Sequence, residues 1–68
     1  MIEATKLNGK IFYINPHLIE TIETIDENPD TRINFMTGKI VVVKDSKDTI
    51  IKRIIEYRRK LGLNSQES

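Results

Sequence analysis

Most of this chain reads as short apolar runs punctuated by turn residues, and its last part carries apolar residues at helical spacing instead. Ile2 to Leu7 predicts a first strand. Asn8-Gly9 is a strong hairpin signal, because a type I′ turn needs φ > 0 at both central residues. Lys10 to Ile14 then returns antiparallel, with Ile11 and Tyr13 on one face and Phe12 and Ile14 on the other. A strand that is apolar on both sides calls for two covering layers: the C-terminal helix on one side and a second subunit on the other. Asn15-Pro16 starts a turn, with Asn as cap and Pro at the first helical position.

Glu20 to Ile25 is expected as a strand in which a twist or bulge re-aims one Ile, with a short helix as the competing reading, since Ile19, Ile22 and Ile25 recur at a spacing that fits neither period. Asn28-Pro29-Asp30 makes the next turn. Thr31 to Met36 alternates, placing Ile33 and Phe35 inward and Arg32 and Asn34 outward. After Thr37-Gly38 comes the continuous apolar strand Lys39 to Val43, expected to be central or interfacial. Asp45 or Ser46 caps a final helix, about 46–61, whose stripe is Ile50, Ile51, Ile54, Ile55, Tyr57 and Leu61. Arg58, Arg59 and Lys60 suit its last turn and Gly62 its C′ position.

The predicted class is α+β and mostly β: about five short antiparallel strands, as a meander or small barrel-like sheet, followed by one C-terminal helix. Residues 1–63 form one domain and 64–68 a disordered tail. The turns rest on Asn8, Gly9, Asn15, Pro16, Pro29 and Gly38, and the core or oligomer contacts on Phe12, Ile14, Val41, Val43, Ile50, Ile54, Tyr57 and Leu61.

Composition narrows the function. A chain of 68 residues has little interior, and with no Cys it has no disulfide to compensate, so a homo-oligomer is the expected source of extra burial. No apolar run approaches the ~20 residues that span a bilayer, and no signal peptide is read at the N-terminus, so a soluble, cytoplasmic protein is expected. Net charge is +1, which gives no general drive toward nucleic acid. Its distribution is uneven: Glu20, Glu23, Asp26, Glu27 and Asp30 cluster in one stretch, and Lys52, Arg53, Arg58, Arg59 and Lys60 in another.

Reaction chemistry is absent from the pattern. His17 stands alone after Asn-Pro and reads as a turn residue, so neither a nucleophile–base pair nor a metal set can be assembled around it. Gly9, Gly38 and Gly62 are isolated, which excludes a phosphate-cradling loop. No cofactor is expected, and the chain is not read as an enzyme. Arg58-Arg59 could face phosphates, but Phe12 and Tyr13 do not interleave with basic residues as on an RNA-binding sheet.

The order Leu7-Asn8-Gly9, Phe12-Tyr13-Ile14-Asn15-Pro16-His17-Leu18-Ile19-Glu20, Pro29-Asp30-Thr31, Thr37-Gly38-Lys39, Val42-Val43-Lys44 and Ile54-Ile55-Glu56-Tyr57-Arg58-Arg59-Lys60 resembles the FlbD/SwrD family found with bacterial flagellar genes. Between Ile22 and Pro29 the chain is longer than the family pattern. The resemblance implies a non-enzymatic role in flagellar motility and swarming, supporting motor power through the stators. It carries over no binding residues. The separated charges suggest Glu20, Glu23, Arg58, Arg59 and Lys60 as partner contacts. The alternative is a small dimeric RNA-binding regulator, and a third reading is a structural subunit or chaperone of the flagellar base. Carbon-storage regulators are similar in length and element order, but their Gly-Glu first turn and Ala-Pro segment are missing here.

Overall fold

Alternation and turn chemistry produce five strands and a helix in the computed structural model, which describes residues 1–25 and 29–62. Strands β1 (Ile2–Thr5) and β2 (Ile11–Ile14) form a two-stranded antiparallel sheet, with Ile2 opposite Ile14 and Thr5 opposite Ile11. Strands β3 (Ile19–Thr24), β4 (Thr31–Phe35) and β5 (Ile40–Val43) form a second antiparallel sheet in the order β3-β4-β5. Helix α1 (Lys47–Lys60) follows. The two sheets touch through a bridge between Lys6 and Val43, and the Lys44 N–H donates to the Thr5 carbonyl at 2.9 Å.

Both well-defined hairpin turns are built alike. Gly9 N–H donates to the Lys6 carbonyl, and Lys6 N–H to the Lys10 carbonyl; Gly38 and Phe35 repeat the pattern with Phe35 and Lys39. Each loop therefore ends in a glycine in the left-handed region, at φ 89° and 90°. This corrects the type I′ expectation at Asn8-Gly9. The tight turn is centred one residue earlier, on Leu7 and Asn8, and the glycine forms the bulge that lets the strands re-pair. The Asn8 side chain reinforces it by accepting from Lys10 N–H at 3.0 Å.

Asn15 caps the single 3₁₀ turn Pro16–Leu18 as expected, its side chain accepting from His17 N–H. The anticipated bulge lies between Ile19 and Thr21, which makes Glu20 the residue without a direct partner in the ladder. Ile25 N–H donates to the Asp30 carbonyl across the next hairpin. Pro29 occupies a bend there, while Asp26, Glu27 and Asn28 of the longer segment lie outside the described residues, as does the tail 64–68. Ser46, not Asp45, caps α1: its hydroxyl accepts from Thr49 N–H at 3.2 Å. Gly62 takes the C′ position with φ 77°.

The core lies between the sheets and under the helix. It consists of Ile2, Ala4, Ile14, Ile33, Val43 and Ile50, with Phe12, Val41, Ile54 and Tyr57 among the half-buried side chains around it. Three expectations are placed more closely by the fold. Leu61 is 51% exposed, because it follows the last helical turn, beyond the part of α1 that packs on β1 and β3. Strand β5 is at the edge of its sheet, whose centre is β4, and of the two expected positions it takes the interfacial one, since the first sheet bridges to it at Val43. Its unbroken apolar run arises because Val41 and Val43 face the interior while Ile40 stays exposed on the other side. Lastly, within this chain β2 is covered on one face: Phe12 and Ile14 are inward, whereas Ile11 and Tyr13, on the face expected to meet a second subunit, are exposed.

Candidate functional site

The basic end of α1 is the clearest unneutralised feature. A Ser-capped helix with Asp48 in its first turn places Arg58, Arg59 and Lys60 in its last, where cations complement the helix dipole. All three are exposed and hold no ion-pair partner among the described residues. Two other arginines are committed. Arg32 reaches across from β4 to Glu23 on β3, with Nη2 2.6 Å and Nε 3.0 Å from Oε2. Arg53 Nη1 donates to Asp45 Oδ2 at 2.6 Å and to the Glu3 carbonyl at 2.8 Å.

The acidic side is less free than the sequence suggested. Glu20 is exposed at the bulge. Glu23 is paired, and the Arg32 hydrogen bond, followed by the Arg32 charge, holds its carboxyl below the usual glutamate value. A count of charges along residues 20–30 missed this pairing because Arg32 comes from the next strand, directly opposite Glu23 in the register. Glu20 and Glu23 lie on β3 and the three cations on α1, and no ion pair joins the two groups among the described residues.

Beside the basic end, a shallow cavity of about 240 Å³ lies between the first strand and the helix, with Arg53, Glu56, Tyr57 and Lys60 among its lining. His17 meets Tyr57 edge-on at 5.7 Å between ring centroids, so it acts as a packing residue that ties the 3₁₀ turn to α1. A wider cleft of about 590 Å³ separates the tip of the β1–β2 hairpin from β5, with Phe12 and Val41 in its lining and Lys6 and Lys39 as its charged members. No group of three or more His, Cys, Asp or Glu side chains suited to a metal ion occurs among the described residues.

Asp45 is the polar centre that sequence reasoning did not find. It accepts from Thr5 N–H at 2.6 Å, while its carbonyl accepts from the buried Thr31 hydroxyl at 2.7 Å. Burial pushes its carboxyl up, but the hydrogen bonds from Thr5, from Arg53 and from its own backbone, with the Arg53 charge, outweigh that and leave it lowered. This cluster joins β1, β4 and α1 and is a structural device, because its atoms are satisfied within the chain.

Two small antiparallel sheets followed by one basic-ended helix define a small, mostly β member of the α+β class. The sequence model of FlbD, flagellar and swarming motility proteins, matches residues 1–62. The chain belongs to that family and hence to the flagellar and swarming motility proteins. No curated protein and no solved structure matches it.

Proposed function

We propose that this chain is a non-enzymatic accessory protein that sustains flagellar motor power by docking against the stators on the cytoplasmic side. Family membership supports the motility setting. The observation that carries the contact is the helix end, where Arg58, Arg59 and Lys60 have no ion-pair partner among the described residues although Arg32 and Arg53 are both neutralised internally. Cations kept free of internal partners suit an acidic surface on another protein, and charge complementarity of this kind sets orientation and encounter rate. Glu20, exposed at the β3 bulge, and Glu23, which would have to share its carboxylate with Arg32, form the second contact. No helix among the described residues is long and apolar enough to cross a membrane, which agrees with peripheral attachment to stator loops.

Two experiments test the reading. Cells lacking the gene should carry a normal number of flagella but rotate with reduced torque when tethered. Too few flagella would point to assembly or to regulation of expression, and a salt-sensitive shift of structured RNA would then favour an RNA-binding regulator. The double variant Arg58→Glu, Arg59→Glu should lower torque while its circular dichroism and unfolding midpoint stay close to those of the parent chain. Unchanged swimming in a folded, normally expressed variant would remove the helix end as the contact.

A further inference from the structure

The β1–β2 hairpin leaves an edge and a face uncovered at the same two residues. Lys6 N–H donates to the Lys10 carbonyl, so these residues form a hydrogen-bonded pair. Such pairs alternate along an antiparallel ladder. Phe12 and Ile14 therefore bond to Ala4 and Ile2, and the N–H and C=O groups of Ile11 and Tyr13 point away from β1. Since β2 is the outer strand of its sheet, those groups meet no neighbouring strand among the described residues. The Ile11 and Tyr13 side chains are 51% and 65% exposed. Edge strands are normally guarded by charge, by Pro or by a bulge. Ile11-Phe12-Tyr13-Ile14 has none of these.

We propose that β2 of a second copy covers this edge, antiparallel about a two-fold axis, making one continuous sheet in the order β1-β2-β2-β1. The phase of the free groups selects the register. Ile11 lies opposite Tyr13 of the second copy, and Phe12 lies opposite its own equivalent on the axis. Both Ile11–Tyr13 pairs then exchange backbone hydrogen bonds, and a β-branched side chain packs on an aromatic one at each. Lys10 falls opposite Ile14 of the second copy, so the self-pairing opposes no like charges. The closed two-fold arrangement also stops at a dimer.

Other edges suit this less. Strand β3 is interrupted by its bulge and carries Glu20 and Glu23, while β5 is met by the first hairpin through Lys6 and Val43. The need for burial argues for a copy of the same chain. Six apolar residues are buried among the described residues, and there is no Cys, so the interior is small and has no disulfide to support it.

Sedimentation of the full chain over a wide concentration range tests the proposal, with amide exchange measured at both ends of that range. The expected result is a monomer–dimer equilibrium in which the Ile11 and Tyr13 amides gain protection at high concentration, while those of Phe12 and Ile14 are protected throughout. Ile11→Pro removes an N–H that the internal ladder does not use, and Tyr13→Lys places a charge on the edge. Each should weaken the dimer by roughly tenfold or more. If the proline variant fails to fold, the lysine variant decides. A monomer at every concentration, or a dimer indifferent to a folded variant, overturns the proposal. No motility readout enters, so the outcome is independent of the stator reading.

Discussion

Asp45 connects three stretches that are distant along the chain: Thr5 in the first strand, Thr31 in β4 and Arg53 in α1. Its side chain is 6% exposed, so removing it strands the Thr5 N–H and the Arg53 guanidinium next to the core. Asp45→Ala should cost roughly 2–4 kcal/mol in urea unfolding, since each lost bond involves a charged group. The lowered carboxyl also sets a pH dependence. Near and below the ordinary aspartate value of 3.8 the unfolded chain takes up a proton that the folded chain resists. The contribution is thus complete at neutral pH and is lost as pH falls through the lowered folded value. Unfolding free energies measured from about pH 6 down to about pH 3 should decline at the acid end, and Asp45→Asn should flatten that decline. An undiminished acid slope in the Asn variant would place the effect on other carboxylates. From the sequence, Asp45 was visible as a candidate helix cap and nothing more, because the cap is a local pattern and the Thr5 and Arg53 bonds depend on how distant strands meet.

Strands, turns and the helix were largely readable, and the reasons differ by element. The helix follows from its spacing and from Ser46 and Gly62 at its ends, and β4 from strict alternation around Ile33. Harder to read was which apolar residues the elements bury. Ile11, Tyr13 and Ile40 are as hydrophobic as their buried neighbours, and whether a face is covered depends on sheet order, which periodicity does not encode. The turns make a sharper prediction at this scale. Gly9 and Gly38 hold φ near +90° with open space where a Cβ would sit. Replacing either by Ala therefore meets no clash, and the penalty is that of the left-handed backbone, about 1–2 kcal/mol. Equal losses for Gly9→Ala and Gly38→Ala in thermal or urea unfolding would confirm that both hairpins use one loop design. A loss at one site alone would show that the two turns differ.

At the scale of the whole molecule, a small interior separates the surfaces that hold the fold from those left for partners. A single core in a chain of this size supplies about 3–5 kcal/mol of net stability. Ile50 is the one fully buried side chain of α1 and packs with Ile33 and Val43 from the second sheet and Ala4 from the first. Truncating it removes a large apolar group from the place where helix and sheets converge, at a cost of roughly 2–5 kcal/mol. Ile50→Ala should therefore populate the unfolded chain at room temperature, seen as lost helical dichroism and a transition already begun without denaturant. Ile55 is 43% exposed on the opposite side of the same helix. Ile55→Ala should shift the unfolding midpoint by no more than about 0.5 kcal/mol, as surface substitutions do. The pair calibrates the cellular tests: torque lost in an Ile50 variant reports unfolding, whereas torque lost in Arg58→Glu, Arg59→Glu beside an intact dichroism spectrum reports a missing contact. A large destabilisation by Ile55→Ala would show instead that the outer face of α1 is covered in solution. The helix, and not β2 alone, would then have to be counted among the surfaces that meet another chain.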